Sequence, residues 1–344
     1  MTLTTFPGTN PSEQGAAPAA FDFGDVRAEF HAMLSGCAVY DLSRRAKIMV
    51  SDSDRVRWLN GMVTNNVRDL APGRGVYAFL LNAQGRIQAD LYVFQRGESL
   101  RVDTDRGQRE KVLDLFDRFI IADDVEIADI SEKLTALGLS GPESPQVLAR
   151  AGITVPDLAH LQFADVAWRQ KSITILRSGE EIGESWQVWI APEHAAELWE
   201  ALSQAGARQA GTTALNLFRI SRGIPQVGVD IRERDLPHET GQTRALNFTK
   251  GCYLGQEIVE RIRSQGAVHR QFRAFLIEGA PPEPGTKIVA HDNEKAVGEI
   301  TSSVVLPLSG GDRPVALGYL RREAAGKDLR AGSVKVKPTT LPMA

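Results

Sequence analysis

At 344 residues the chain is long enough for two or three domains with a large total core. Hydrophobic residues make up 42% and charged residues 24%, and the formal net charge of -3 excludes a global nucleic-acid footprint. Two cysteines far apart exclude a disulfide framework, and no stretch approaches the length of a membrane helix, so a cytosolic protein with no membrane partner is expected.

Residues 1–20 lack the basic start and apolar run of a signal peptide. Rich in Thr, Pro, Gly and Ala, they are expected to begin a mobile leader covering residues 1–24. Cys37, in Leu34-Ser35-Gly36-Cys37-Ala38-Val39-Tyr40, reads as a small core residue. Residues 46–50 form a short strand, and Asp52 or Ser53 is expected to cap a helix carrying Val56, Trp58 and Leu59. The runs 76–81 and 87–94 read as strands joined by an Asn82-Ala83-Gln84-Gly85 turn. Strand alternation puts Asp90 on the face opposite Ile87, Ala89 and Leu91. A helix follows from Arg106 to Phe119.

From 134 the pattern is strand (134–139), helix (144–151), strands (160–167, 173–176, 186–190) and helix (192–205). This order reads as a ferredoxin-like α+β unit. After His269, short strands at 272–277, 287–290, 297–305, 316–320 and 334–337 alternate with Pro/Gly turns and suggest a small barrel.

The segment Lys250-Gly251-Cys252-Tyr253-Leu254-Gly255-Gln256-Glu257 carries the sharpest chemical signal. Its small-residue turn precedes an amphipathic helix with Ile258, Val259 and Ile262 on one face and Gly266 as the stop. Glu257 and Arg261 are four apart and can pair. A cysteine near a helix N-terminus, with a lysine beside it, favours the thiolate, which is the nucleophilic and metal-binding form. Arg261, Arg263, His269, Arg270 and Arg273 cluster downstream; a solvated helix face and strand edge is favoured there over RNA binding. No metal-ligand spacing is present, so no tightly bound metal is expected.

Lys-Gly-Cys-Tyr-x-Gly-Gln-Glu resembles the signature of the YgfZ-type folate-binding proteins, relatives of the glycine-cleavage T-protein, an aminomethyltransferase. Further phrases are similar in the same order. They are Tyr40-Asp41-Leu42-Ser43, Trp58 to Val67, Phe218 to Pro225, Gly228 to Ile231, Leu236 to Glu239 and Val259 to Gly266. The resemblance implies an α+β, three-domain T-protein-like (GcvT-like) fold around a central folate channel. Its parts would be a discontinuous folate-binding domain (25–130 plus 213–268), the ferredoxin-like domain (131–212) and a C-terminal β-barrel (269–344).

It further implies tetrahydrofolate, or a one-carbon derivative, as the cofactor. The implied function is support of iron–sulfur cluster assembly or repair, with assembly factors or client enzymes as partners. Cys252, Lys250 and Asp90 are the implied catalytic residues. Asp90, Tyr77, Ser221, Arg222, Tyr253, Gln256 and Glu257 are the candidates for holding folate. Tyr77 and Tyr253 could stack on a pterin or be ordinary core; Gln256 and Glu257 could bind a ligand or serve only as helix caps. Aminomethyltransferases carry a pair of aspartates where this chain has Ala89-Asp90, and a glutamate where it has Ser221. Both departures speak against glycine-cleavage chemistry. Aminomethyl transfer and a non-enzymatic folate-sensing or tRNA-modification-associated module remain the alternatives. A monomer is expected.

Overall fold

The computed structural model describes residues 20–178, 184–266, 268–290, 293–340 and 342. Residues 1–19 of the expected leader lie outside the described residues. Residues 20–24 are tied down instead: Ala20 and Phe21 carbonyls accept from Thr212 and Thr213 N–H, and the Phe23 ring lies 5.6 Å from Trp199.

The chain divides into two compact units, residues 1–78 with 89–215, and residues 79–88 with 216–344. In the first, α1 (Val26–Ser35) is capped by Asp25, whose carboxylate accepts from Ala28 N–H. Buried β1 (Ala38–Asp41) follows, then β2 (Arg45–Ser51) and α2 (Arg55–Met62). Asp54, rather than Asp52 or Ser53, stands at the N-cap of α2 and makes no side-chain cap bond. Its carboxylate is taken by Arg57 and Asp124 N–H, while the Ser53 hydroxyl donates to Asp124.

Next come β3 (Gly75–Leu81), β4 (Ile87–Gln95), β5 (Leu100–Asp105), α3 (Arg109–Arg118) and β6 (Glu126–Asp129). The expected helix from Arg106 opens with a 3-10 turn, Arg106–Gln108. These strands form a sheet in the order β3-β4-β5-β2-β6, and the hairpin tip, Phe79–Gln88, groups with the second unit. Along β4, Ile87, Ala89 and Leu91 are buried while Gln88, Asp90 and Tyr92 are half-buried, as alternation requires.

The expected strand-helix order continues as β7 (Thr135–Ser140), α4 (Ser144–Arg150), β8 (Phe163–Trp168), β9 (Lys171–Arg177), β10 (Ser185–Ile190), α5 (Ala195–Gln204) and β11 (Arg208–Gln209). The sheet is wider than that stretch of chain provides. It runs β11-β1-β7-β10-β9-β8, with β1 recruited from the N-terminal region. Leu137, Leu139, Ile175, Val188, Leu198, Trp168 and Trp199 fill its core, and Cys37 is 3% exposed among them. Burial pushes the Cys37 thiol up from its ordinary value, against its contact with Ser144.

α6 (Thr212–Arg222) leads into the second unit, which holds α7 (Gln256–Gln265) and β12 (Arg270–Glu278) to β17. β13 (Lys287–Ala290), β14 (Asn293–Leu308), β15 (Gly311–Arg321), β16 (Leu329–Ala331) and β17 (Val334–Thr339) complete a closed barrel, β12-β15-β14-β13-β16-β17. Closure leaves no free strand edge. Phe275, Ile288, Ile300, Leu320, Leu329 and Val336 fill it. Among the barrel strands, the three-residue β16 is one that the sequence pattern does not show.

Candidate functional site

Two side-chain groups hold the candidate residues Asp90 with Tyr77, and Cys252 with Lys250 and Tyr253, one group in each unit. In the first unit the β4–β5 ladder pairs Tyr92 to Gln95 and does not reach Asp90. Side chains take over there. The Asp90 N–H donates to Gln108 Oε1 at 3.0 Å, and the Thr104 hydroxyl donates to the Asp90 carbonyl at 2.8 Å. The Asp90 carboxylate is held at both ends: the Tyr77 hydroxyl donates to Oδ2 at 2.9 Å and Gln108 Nε2 to Oδ1 at 2.7 Å. Tyr77 is 5% exposed, and its ring sits 4.9 Å from that of Tyr92.

Beyond Tyr92 the charge alternates. The Arg45 guanidinium lies 5.7 Å from the Tyr92 ring centre, and Arg45 Nε donates to Asp103 Oδ1 at 2.5 Å. Lys47 Nζ lies 3.1 Å from Asp103 Oδ2 and 5.1 Å from the Trp189 ring. Lys47 is fully buried; burial drives its pKa down, against the attraction of Asp103. Arg45 goes the other way: burial opposes its charge, but Asp103 and Asp90 carry its pKa upward. Sequence reasoning did not single out Gln108, Arg45, Lys47 or Asp103. Lys47 inside the otherwise apolar 46–50 strand was the available signal; for Gln108 there was none.

In the second unit residues 250–255 form a fixed loop before α7. Asn247 Oδ1 accepts from the Thr249 and Lys250 N–H groups at 2.9 and 2.8 Å. Lys250 is 8% exposed, with its ammonium 5.0 Å from the Tyr253 ring centre. Tyr253 is 7% exposed, and its hydroxyl has no hydrogen-bond partner among the described residues. Burial, with the nearby Glu260 charge, pushes its pKa up to about 12. Between these two buried side chains Cys252 is exposed.

Gln256 Oε1 accepts from Tyr253 N–H at 3.3 Å, a bond from the first residue of α7 back to the loop before it. Glu257 pairs with Arg261 at 2.7 Å on the solvent side. Gly255 has φ of 81°, and a Cβ there would meet the Asn82 carbonyl at 2.5 Å. A Cβ on Gly85, in the hairpin turn, would meet the Ile258 Cβ at 2.8 Å. The signature loop and the hairpin tip therefore touch glycine to glycine.

Ser221 is fully buried and donates to the Phe218 carbonyl at 2.8 Å, one turn back in α6. Half-buried Arg222 lies over the Phe218 ring, 5.4 Å from its centre, and burial lowers its pKa. The downstream arginines are largely engaged locally. Arg261 and Arg263 pair with Glu257 and Glu260, and Arg270 with Asp235 and Glu239. Arg273 donates to Gln271 at 2.6 Å.

Asp230 and Glu239, quoted above only as parts of family-like phrases, are structural anchors. Asp230 is fully buried and accepts from Arg219 at 2.7 Å, Gln226 N–H at 3.0 Å, and the Thr301 and Ser302 hydroxyls at 2.5 and 2.7 Å. Consecutive strand residues normally face opposite ways. A register shift between Ile300 and Ser302 in β14 lets both hydroxyls reach one carboxylate.

Fold and site define an α+β protein with a closed C-terminal barrel, a clamped carboxylate and a presented thiol. The chain belongs to the GCVT N-terminal domain family, which it matches over residues 10–250. It also matches the CAF17 C-terminal beta-barrel domain over residues 263–343. Among curated relatives it is 28% identical to the aminomethyltransferase of Rubrobacter xylanophilus, covering 88% of this chain and 81% of that one. It is also 28% identical to the aminomethyltransferase of Streptomyces coelicolor, over 93% and 90%. The crystal structure of glycine cleavage system aminomethyltransferase T from Bartonella henselae superposes with a TM-score of 0.87 at 20% identity, covering 98% of this chain and 94% of that one. The fold is GcvT-like.

Proposed function

We propose that this protein binds tetrahydrofolate or a one-carbon derivative in the cytosol and supports assembly or repair of iron–sulfur clusters in other proteins, with Cys252 as its reactive thiol. The observation that carries the reading is the exposed Cys252 between buried Lys250 and buried Tyr253, in a loop fixed by Asn247 and by Gly255. A cysteine kept for packing would be turned inward, as Cys37 is. The clamped Asp90 suits folate, because a carboxylate accepts hydrogen bonds from the N–H groups of a reduced pterin. One thiolate cannot hold a cluster alone, so any cluster contact is shared with ligands of a partner.

A second reading, folate-dependent aminomethyl transfer, is favoured by the names of the relatives. Ala89 does not weigh against it as it does in sequence. Residue 89 is fully buried on the face opposite Asp90, so a carboxylate there would not join the Asp90 site. Ser221, with its hydroxyl donated inward, still lacks the reach of a glutamate.

Complementation separates the readings. A strain lacking its own YgfZ-like gene is supplied with wild type or Cys252→Ala at matched soluble levels, and an iron–sulfur enzyme is assayed under oxidative stress. Rescue by wild type alone is expected. Equal rescue by both removes the role of the thiol. Failure of both, with turnover of an aminomethylated carrier protein in vitro, would favour the second reading.

A further inference from the structure

We propose that Gln108 is a positioning residue for the candidate folate site: it fixes the Asp90 carboxylate in the orientation that receives an N–H donor. The inference rests on the folate-binding reading above. Three observations carry it. Gln108 grips Asp90 twice, with Oε1 on the backbone N–H at 3.0 Å and Nε2 on Oδ1 at 2.7 Å. It does so where the β4–β5 ladder has stopped, so its amide replaces the missing strand partner. Its own backbone is anchored. It closes the 3-10 turn whose Gly107 N–H donates to Asp105 Oδ1 at 2.8 Å, Arg106 N–H donates to the Arg44 carbonyl at 2.7 Å, and Arg109 pairs with Asp129.

A carboxylate offers about four acceptor positions, and among the described residues Tyr77 and Gln108 occupy one on each oxygen. The remaining acceptor positions are then fixed before a ligand arrives, which removes an ordering cost from binding. Because the amide is neutral, it orients the carboxylate without adding charge.

Gln108→Glu dissects the grip. It keeps an acceptor for the Asp90 N–H but puts an oxygen, and a like charge, where the Nε2 donor stood. Tetrahydrofolate binding to the full-length protein is measured by calorimetry under reducing conditions, alongside hydrogen exchange at the Asp90 amide. The expected result is retained amide protection with affinity lowered by about tenfold, the scale of one hydrogen bond to a charged group. In an Asp90→Asn background, whose side-chain amide can donate to the introduced glutamate, the same change should cost less than about threefold, because the coupling runs through residue 90. Unchanged affinity in Gln108→Glu, or an equal loss in the Asp90→Asn background, overturns the positioning role while leaving folate binding standing. No binding by wild type overturns the folate reading and the inference with it.

Discussion

Glu299 shows how one residue can tie the barrel to pH. Its carboxylate lies 2.5 Å from Arg232, 2.6 Å from Lys287 and 3.4 Å from Arg234. Although partial burial opposes its charge, these contacts hold its pKa down to about 2. A carboxylate depressed in the folded state stabilises it at pH values above its unfolded pKa of about 4.3, and that contribution is lost as pH falls toward 2. Wild type should therefore exceed Glu299→Gln in stability at pH 6 by about 1 kcal/mol, a figure reduced for solvent screening of the exposed cations. The gap should close by about pH 2. Urea midpoints collected across that range give the comparison; a gap independent of pH would mean that the pairs are not formed in solution. At this same scale the sequence disclosed Asp90 through the alternation of β4, and Glu257–Arg261 through helical spacing. Gln108 was invisible because its meeting with Asp90 spans 18 residues and depends on where a strand ladder stops.

At the scale of elements, glycine-to-glycine contact between the hairpin turn and the start of α7 accounts for Gly255 in the 250–257 segment. The first turn of α7 has no side-chain N-cap bond, and Gly255 enters it in the left-handed region. A side chain there would adopt a conformation costing about 1–2 kcal/mol and would also overlap the Asn82 carbonyl. Gly255→Ala should lose about 2–4 kcal/mol in chemical denaturation. A loss below about 1 kcal/mol would show that the loop can slide off the hairpin, and would leave a ligand contact as the better account of this glycine. Long periodic elements, α3, α5 and α7, were legible because burial repeats along them. β1, β5, β6, β11 and β16 were not. β1, β6, β11 and β16 have four, four, two and three residues, too short for a period to register; β5 buries polar Asp103 and Thr104 and so lacks an apolar alternation, and β1 joins a sheet whose other strands come much later in the chain.

For the whole molecule, tryptophan fluorescence reports on the first compact unit alone, whereas far-UV dichroism reads the strands and helices of both. All five tryptophans, at 58, 168, 186, 189 and 199, belong to the first unit, whereas the barrel belongs to the second. The Arg219–Asp230 pair lies wholly in the second unit, where it joins the end of α6 to the bulge in β14. Asp230→Asn keeps the shape of the side chain but leaves the Arg219 charge, 17% exposed, without its counter-ion. Breaking a buried pair from one side costs about 3 kcal/mol or more. A chain of this size need not unfold in one step. The variant should therefore show an early far-UV dichroism transition from the barrel, ahead of a tryptophan fluorescence transition that stays near its wild-type midpoint. If both signals instead move together by the same amount, the two units unfold as one cooperative body, and damage at Asp230 reaches the clamped carboxylate at Asp90 through global stability alone.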